Sequence, residues 1–413
     1  MADLEDVSKT INGIIFHDIQ DLESVTDLLR ALRSACSRGV NVQKFIGENT
    51  RLLEKVETII CDGISLQQQS EKVLLMTAVA IQFLGNLTVN NPSNSLTIWN
   101  LVKKKILHLC FTLDATKIWN SFSMLLLNVF LQNEHLLDEI LCSEYVTTIL
   151  EKLTKSAQDD AEFSQHVIEV CILPRKELSV IYPELPHPSR LFLLETIYHA
   201  LASTPESKAT VSAAFIQYAA EVFKLKSDFM LHVLRRNEDV EPLEYTKMLE
   251  ILASSSGSDK YVLMLQEDKS LLISTVYLLK CFHQLGKEAE EGFTPVEDLA
   301  VLAPNNVNRI QEEPTFCFKR DLIRLIANLT WRNLSNQNEI REMNGIEIIM
   351  ECCCIDARNP FMQQWCILAM RNLLEDNIEN QRYVASMTEQ GTTRSEVLSE
   401  MGFEVVDKRI RRV

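Results

Sequence analysis

Two segments, LIANLTWRNLSNQNEI (residues 325–340) and LAMRNLLEDNIENQRYV (residues 368–384), decide the fold of this chain. In each segment an apolar helical pattern ends in an asparagine, and a second asparagine follows five residues later. The two pairs are Asn328 with Asn333 and Asn372 with Asn377. The leading asparagines lie 44 residues apart (372 minus 328), which is the length of one armadillo or HEAT repeat.

The same spacing occurs twice in the first third of the chain. Asn86 is followed by Asn91, and Asn128 by Asn133, with a separation of 42 residues between the copies (128 minus 86). Each copy follows an apolar helical pattern, and a short helical unit can bury its apolar face only against its neighbours. The sequence therefore predicts an all-α protein, an armadillo/HEAT-like right-handed α-solenoid.

The last repeat predicts which residues enter the core. Met362, Cys366, Ala369 and Leu373 recur at helical spacing and form the buried stripe. Trp365 has a phase that favours burial, so Trp365→Ala is expected to cost about 3–5 kcal/mol of stability. Upstream, Asn359 and Pro360 suit the N-cap and the first position of this helix.

Breaks in the helical pattern divide the chain into five predicted segments. They are N-terminal armadillo-like repeats (1–170), irregular middle helical repeats (171–285), an acidic loop or linker (286–313), a C-terminal module (314–406) and a short basic tail (407–413). The first ten residues are expected to be frayed. Four prolines between residues 174 and 188 predict a break or long loop, and the run from Ser254 to Gly257 predicts a linker.

Composition excludes several classes of function. The 413 residues carry a net charge of −16, so no basic surface is available for nucleic acid. No apolar run is long enough to span a bilayer, and the N-terminus lacks a secretory pattern. The eleven cysteines are scattered without the spacing pattern of a disulfide framework, which is typical of reduced thiols. These observations predict a cytoplasmic protein.

No motif for catalysis or for a metal is present. The sequence has no nucleophile elbow, no glycine-rich phosphate loop and no pair of histidines at helical spacing. Cys352, Cys353 and Cys354 are consecutive, so on a helix they point about 100° apart and suit packed thiols better than a metal site. We expect a protein that is not an enzyme and that holds no cofactor or metal.

The leading asparagines allow two interpretations. They could form a ladder of amides that binds an extended peptide, or they could cap helices and pack at repeat edges. Peptide-binding armadillo proteins place a tryptophan four residues before such an asparagine, and no copy here has one, which favours the structural interpretation. Trp331, near a helix end, is the better surface tryptophan. The candidate protein-interaction residues are Asn328, Trp331, Asn333, Arg371, Asn372 and Asn377.

The C-terminal sequence closely resembles that of the ataxin-10 family. The resemblance rests on Asn359-Pro360-Phe361, Trp365, Arg371-Asn372-Leu373, Asn380-Gln381 and Gly402-Phe403-Glu404-Val405, and it covers roughly residues 318–406. It implies an armadillo-like, cytoplasmic, non-enzymatic protein that self-associates. It also implies roles in neuronal survival, neurite outgrowth, signalling and cell division, and two partners: a G-protein β subunit and the O-linked N-acetylglucosamine transferase.

The function predicted from the sequence is that of a protein-interaction scaffold with an acidic surface. The alternative is an importin-like transport adaptor that binds basic peptides in an acidic groove. Both need only proteins as partners, and neither needs nucleic acid, a membrane span or a cofactor.

Overall fold

A computed structural model describes most of the chain. The described residues are 2–16, 21–65, 70–112, 115–202, 210–226, 241–288, 292–303, 310–387, 403–406 and 409–412. The chain forms two compact units, Met1–Phe215 and Ile216–Val413. Each unit has its own core and is described separately.

The first unit contains thirteen described α-helices and the start of the next, α14. They are α1 (Ala2–Phe16), α2 (Leu22–Ala35), α3 (Val40–Gly47), α4 (Thr50–Ser65), α5 (Glu71–Thr88), α6 (Pro92–Val102), α7 (Ile106–Phe111), α8 (Thr116–Gln132), α9 (Glu134–Leu141), α10 (Val146–Gln158), α11 (Glu162–His166), α12 (Leu178–Ile181), α13 (His187–Ala202) and α14 (Ala213–Lys226). A π-helical turn, Val167–Ile172, continues α11.

The core of the first unit is built around three long helices. Helix α5 packs against α2 on one side and α8 on the other. Its sequence is apolar around most of its circumference, as expected for a helix covered on several sides. Ser70 begins α5 by accepting a hydrogen bond from the backbone N–H of Val73.

The second unit has eight further described helices and two short strands. They are α15 (Glu241–Ser255), α16 (Val262–Glu267), α17 (Lys269–Lys287), α18 (Phe318–Thr330), α19 (Leu334–Glu342), α20 (Gly345–Glu351), α21 (Met362–Leu374), α22 (Ile378–Ala385), β1 (Phe403–Val406) and β2 (Arg409–Arg412). The strands pair antiparallel, with Phe403 opposite Arg412. The all-α prediction is confirmed for the body of the protein.

A second row of long helices forms the core of this unit. Helix α18 lies between α15 and α21, and the shorter helices α19, α20 and α22 follow in the same order along the chain. The predicted stripe of α21 is confirmed: Met362, Cys366, Ala369 and Leu373 are all buried.

Several local predictions were wrong because packing overrides weak local signals. The first ten residues are helical from Ala2 onward. The proline-rich stretch after residue 174 forms α12, a 3₁₀ turn and the start of α13 rather than a long loop. Ser255 closes α15, and both Ser255 and Ser256 are buried, so this run is part of the core and not a linker.

Asn359 was also assigned wrongly. Helix α21 begins at Met362, and Phe361 precedes it in the left-handed region (φ 64°). The side chain of Asn359 instead accepts a hydrogen bond from the backbone N–H of Arg320 (3.1 Å) and donates to Asp356 (2.8 Å). The asparagine therefore ties the loop to the start of α18.

The described part of the acidic segment 286–313 is anchored to its unit. Phe293 is buried and its ring lies edge-on to Phe282 at 4.8 Å. The backbone N–H of Val296 donates to the Asp356 carboxylate (2.9 Å), and the Val296 carbonyl accepts from the N–H of Ala357 (2.6 Å). The five predicted segments and their boundaries stay a prediction.

None of the described helices combines the length and the apolar character needed to cross a membrane.

Candidate functional site

A cleft of about 270 Å³ opens on the second unit where α15, α18 and α21 end. Its lining combines polar, charged and apolar side chains. The lining residues are Ser256, Gly257, Asp259, Val262, Asn328, Trp331, Leu368, Arg371 and Asn372. The cleft thus brings together four of the six residues that the sequence singled out, and Asn333 and Asn377 lie outside it.

The leading asparagines join neighbouring repeats. The amide nitrogen of Asn372 donates to the carbonyl oxygen of Ala327 (2.8 Å), and that of Asn328 donates to Ala253 (3.2 Å) and to the Ser256 hydroxyl (3.0 Å). Asn128 makes the corresponding bond to Gly85 in the first unit (3.2 Å). Each bond ties the end of one long helix to the end of the preceding one.

The trailing asparagines cap the next helix. The side-chain oxygen of Asn333 accepts a hydrogen bond from the N–H of Asn336 (3.0 Å), and that of Asn377 accepts from the N–H of Asn380 (3.0 Å). Asn91 caps α6 in the same way (3.1 Å). These bonds satisfy N–H groups that the first turn of a helix leaves without partners.

A third asparagine completes the pattern, and sequence reasoning missed it. Asn336 donates to the carbonyl oxygens of Leu329 (2.8 Å) and Gln266 (3.0 Å), and Asn380 donates to those of Leu373 (2.8 Å) and Gln337 (3.2 Å). Asn94 repeats this arrangement in the first unit. The available signal was an asparagine three residues after the trailing one, at positions 94, 336 and 380.

A glutamine of the preceding repeat donates hydrogen bonds in the opposite direction, to backbone carbonyls of the following repeat. Gln266 donates to the carbonyl oxygens of Asn328 (3.2 Å) and Trp331 (2.9 Å), and Gln337 donates to that of Asn372 (2.9 Å). Gln43 does the same for Asn86 (3.1 Å). The same reciprocal hydrogen bonds therefore join neighbouring repeats at three junctions.

The copy at Asn128 and Asn133 departs from this network. Position 136, where the third asparagine would stand, is a buried leucine. The side chain of Asn133 accepts no hydrogen bond from the first turn of α9 and donates instead to the carbonyl oxygen of Pro92 (3.4 Å). The other three copies also share a left-handed residue four places after the leading asparagine: Asn90, Arg332 and Asp376. The spacing alone therefore does not fix the structure of each copy.

Trp331 and Arg371 supply the exposed chemistry of the cleft. Trp331 is 40% exposed, and the Arg332 guanidinium lies 5.0 Å from the centre of its ring. Arg371 is exposed, and no residue that the structure describes forms an ion pair or hydrogen bond with its side chain. The prediction that Trp331 is the surface tryptophan agrees with this placement.

The expected burial of Trp365 was wrong. Its side chain is half-buried, and its ring faces the Arg324 guanidinium at 5.1 Å. Trp99 and Trp119 are the fully buried tryptophans of the chain. Position 365 therefore uses a cation–π contact at the edge of the helix rather than a place in the core.

The run of three cysteines is only partly packed, which corrects the interpretation of all three as packed thiols. Cys352 and the downstream Cys366 are buried, whereas Cys353 and Cys354 are exposed. Burial raises the pKa of Cys352 to about 12. Within the described ranges, no three His, Cys, Asp or Glu side chains are placed to hold a metal ion.

Helix α21, the residue before it and the start of α22 expose large apolar side chains. Phe361 is 69% exposed, and Ile367 and Ile378 are each 61% exposed. Ile323, which lies 44 residues before Ile367 and occupies the same repeat position in α18, is fully buried. We call Phe361, Ile367 and Ile378 the outer apolar face.

A family model described as the spinocerebellar ataxia type 10 protein domain matches residues 318–412 of this chain. The chain resembles the ataxin-10 family. Ataxin-10 of Bos taurus is 28% identical over 403 residues, which span 94% of this chain and 81% of that protein. Ataxin-10 of Homo sapiens gives the same identity over 401 residues, spanning 94% of this chain and 81% of that protein.

The similarity is strongest at the C-terminus. An ataxin-10 homolog of Dictyostelium discoideum is 46% identical over 88 residues, which span 21% of this chain and 14% of that protein. A solved structure of an engineered protein aligns with 89% of this chain and 98% of its own at 12% identity, but its TM-score of 0.28 carries no structural argument. This resemblance to the ataxin-10 family supports a non-catalytic protein.

Proposed function

We propose that this ataxin-10-like protein is a non-enzymatic protein-interaction scaffold that self-associates through its C-terminal repeats. The observation that carries the proposal is the outer apolar face, which exposes Ile367 where the equivalent Ile323 is buried. An apolar position that one repeat buries and the next exposes is suited to contact with another protein. The matching family model, which spans this face, carries homo-association in its name.

The proposed architecture is a right-handed α-solenoid. Its support is the recurring order of long helices, α2–α5–α8 in one unit and α15–α18–α21 in the other, with the same asparagine network at the junctions. Repeats stacked in this way present extended surfaces to partners.

The wider setting follows from the family resemblance. We propose a cytoplasmic scaffold that acts in neuronal survival, neurite outgrowth, signalling and cytokinesis, with a G-protein β subunit and the O-linked N-acetylglucosamine transferase as partners. The importin-like alternative has less support. Arg371 lines the cleft and Arg332 stacks on the wall residue Trp331, whereas Asp259 is the one carboxylate among the lining residues. Such a cleft does not favour basic peptides.

Sedimentation velocity of the full chain tests self-association. We expect the wild-type protein to sediment as a multiple of 47.2 kDa. The double variant Ile367→Asp, Ile378→Asp should shift toward the single chain, because charged side chains are costly in a dry contact. Val180→Asp is the matched control, since Val180 is 73% exposed in the first unit. A wild-type protein that stays a single chain, or a double variant that assembles normally, would contradict the proposal.

A further inference from the structure

We infer that the cleft is a binding site for an extended, acidic segment of a partner protein that carries an apolar residue beside its carboxylates. This inference rests on the proposed role in protein interaction, and it names the chemistry of the ligand. It is carried by the placement of hydrogen-bonding, charged and apolar groups at the ends of α15, α18 and α21.

The first observation concerns the oxygens of the two asparagines. The side-chain amide nitrogens of Asn328 and Asn372 donate hydrogen bonds to the preceding repeat, and these bonds fix the orientation of both side chains. Among the described residues nothing donates a hydrogen bond to either side-chain oxygen. Two oriented acceptors at the wall of a cleft suit backbone N–H groups, which an extended peptide presents along its length. The amide bonds therefore position the acceptors as well as stabilise the fold.

The second observation is the local charge. The chain carries −16 overall, yet Arg371 lines the cleft and Arg332 stacks on the wall residue Trp331. Asp259 is the only carboxylate among the lining residues. A ligand with carboxylates flanking its central residue would meet Arg371 on the α21 side, where the guanidinium can bind a carboxylate through two N–H groups. Charge complementarity thus favours an acidic segment over a basic one.

The third observation is an apolar wall. Trp331 is 40% exposed, and Val262 and the half-buried Leu368 also line the cleft. The indole N–H of Trp331 has no hydrogen-bond partner within the part of the chain that the structure describes. An aromatic ring with a free donor can cover an apolar side chain and bind a carbonyl or carboxylate oxygen at its edge. A volume of about 270 Å³ accommodates one or two side chains and not a folded element.

Fluorescence anisotropy with two labelled nonapeptides tests the inference. Both carry a central leucine–valine pair, flanked by glutamates in one and by lysines in the other. The full chain should bind the glutamate peptide more tightly, and its affinity should fall as salt rises. Arg371→Glu should weaken this binding at least about tenfold, because it replaces an attraction by a repulsion. Trp331→Ala should weaken it by removing the apolar wall.

Arg382→Glu is the matched control, because Arg382 is exposed on α22 and does not line the cleft. This variant should bind the glutamate peptide as the wild type does. The inference is overturned if the lysine peptide binds more tightly, if neither peptide binds below about 1 mM, or if Arg371→Glu leaves the affinity unchanged.

Sedimentation of the same samples separates this inference from the proposed function. Failure of peptide binding with self-association intact overturns only the cleft as a site. A wild-type protein that binds the peptide but sediments as a single chain overturns only the proposed assembly.

Discussion

The side-chain amide of Asn372 donates a hydrogen bond of 2.8 Å to the backbone carbonyl of Ala327, so the last repeat is joined to the one before it through a buried polar contact. Asn372→Ala removes this donor and leaves the Ala327 carbonyl with the Thr330 hydroxyl (3.1 Å) as its side-chain partner. We expect a loss of about 1–3 kcal/mol in the free energy of unfolding. Urea denaturation followed by circular dichroism measures it, with Gln363→Ala, an exposed change on the same helix, as the control. Equal stability of the two variants would contradict the assignment.

The second prediction concerns Asn336, the asparagine that the sequence pattern did not reveal. Asn336→Leu should cost about 2–4 kcal/mol, because the carbonyls of Leu329 and Gln266 would both lose a buried donor. Ser335→Leu, one residue earlier and exposed, should change stability by less than about 0.5 kcal/mol. Thermal unfolding of the two variants compares them directly. A stable Asn336→Leu protein would show that the junction tolerates the leucine found at position 136.

The two kinds of tryptophan environment give a third prediction. Trp119 is 2% exposed, whereas Trp365 is half-buried over Arg324. Trp119→Ala should therefore cost about 3–5 kcal/mol, and Trp365→Ala only about 1–3 kcal/mol, since it loses a cation–π contact and part of an apolar surface. Chemical denaturation of both variants measures the difference. A loss at position 365 as large as that at position 119 would place the ring in the core.

The cysteine run provides a fourth prediction. Cys353 is exposed, and Cys352 is buried with its pKa raised to about 12 by desolvation. Below that pKa the thiol is largely protonated, and only the thiolate is nucleophilic. At pH 8, iodoacetamide should modify Cys353 well before Cys352, as read from the modified peptides by mass spectrometry.

Unfolding in urea is the control for this labelling, because both thiols should then react at similar rates. The variant Cys353→Ser should lose the fast site and leave the slow one unchanged. Modification of Cys352 as rapidly as Cys353 in the folded protein would contradict its burial.

The repeat spacing was sufficient to predict the fold class, because every repeat must satisfy the same physical requirement. Asn333 and Asn377 recur since a helix N-terminus needs a side-chain acceptor, and that need is visible in one sequence. The partner of Asn372 is not visible in this way, because Ala327 contributes only its backbone carbonyl. Every residue type has a backbone carbonyl, so a backbone partner places no requirement on the side chain. The inter-repeat hydrogen bonds could therefore not be predicted from the sequence.

The start of α21 shows a second limit. Asn359 and Pro360 have the residue types of a helix start, yet the helix begins at Met362 because Asn359 is engaged with Arg320 and Asp356. A tertiary contact overrides the local preference here. The same limit applied to Trp365, whose helical phase was compatible with burial but whose ring meets Arg324 at the helix edge. The cleft itself joins residues more than 100 positions apart, from Ser256 to Asn372, and only the folded chain reveals it.

Gln266 and Gln337 act at successive junctions, and each crosses from one repeat to the backbone of the next. A repeat that came loose would expose carbonyls in its neighbour as well as its own. Stretching the second unit from its ends should therefore break it in large cooperative steps rather than by peeling one helix at a time. The glutamines make mechanical resistance a shared property of adjacent repeats.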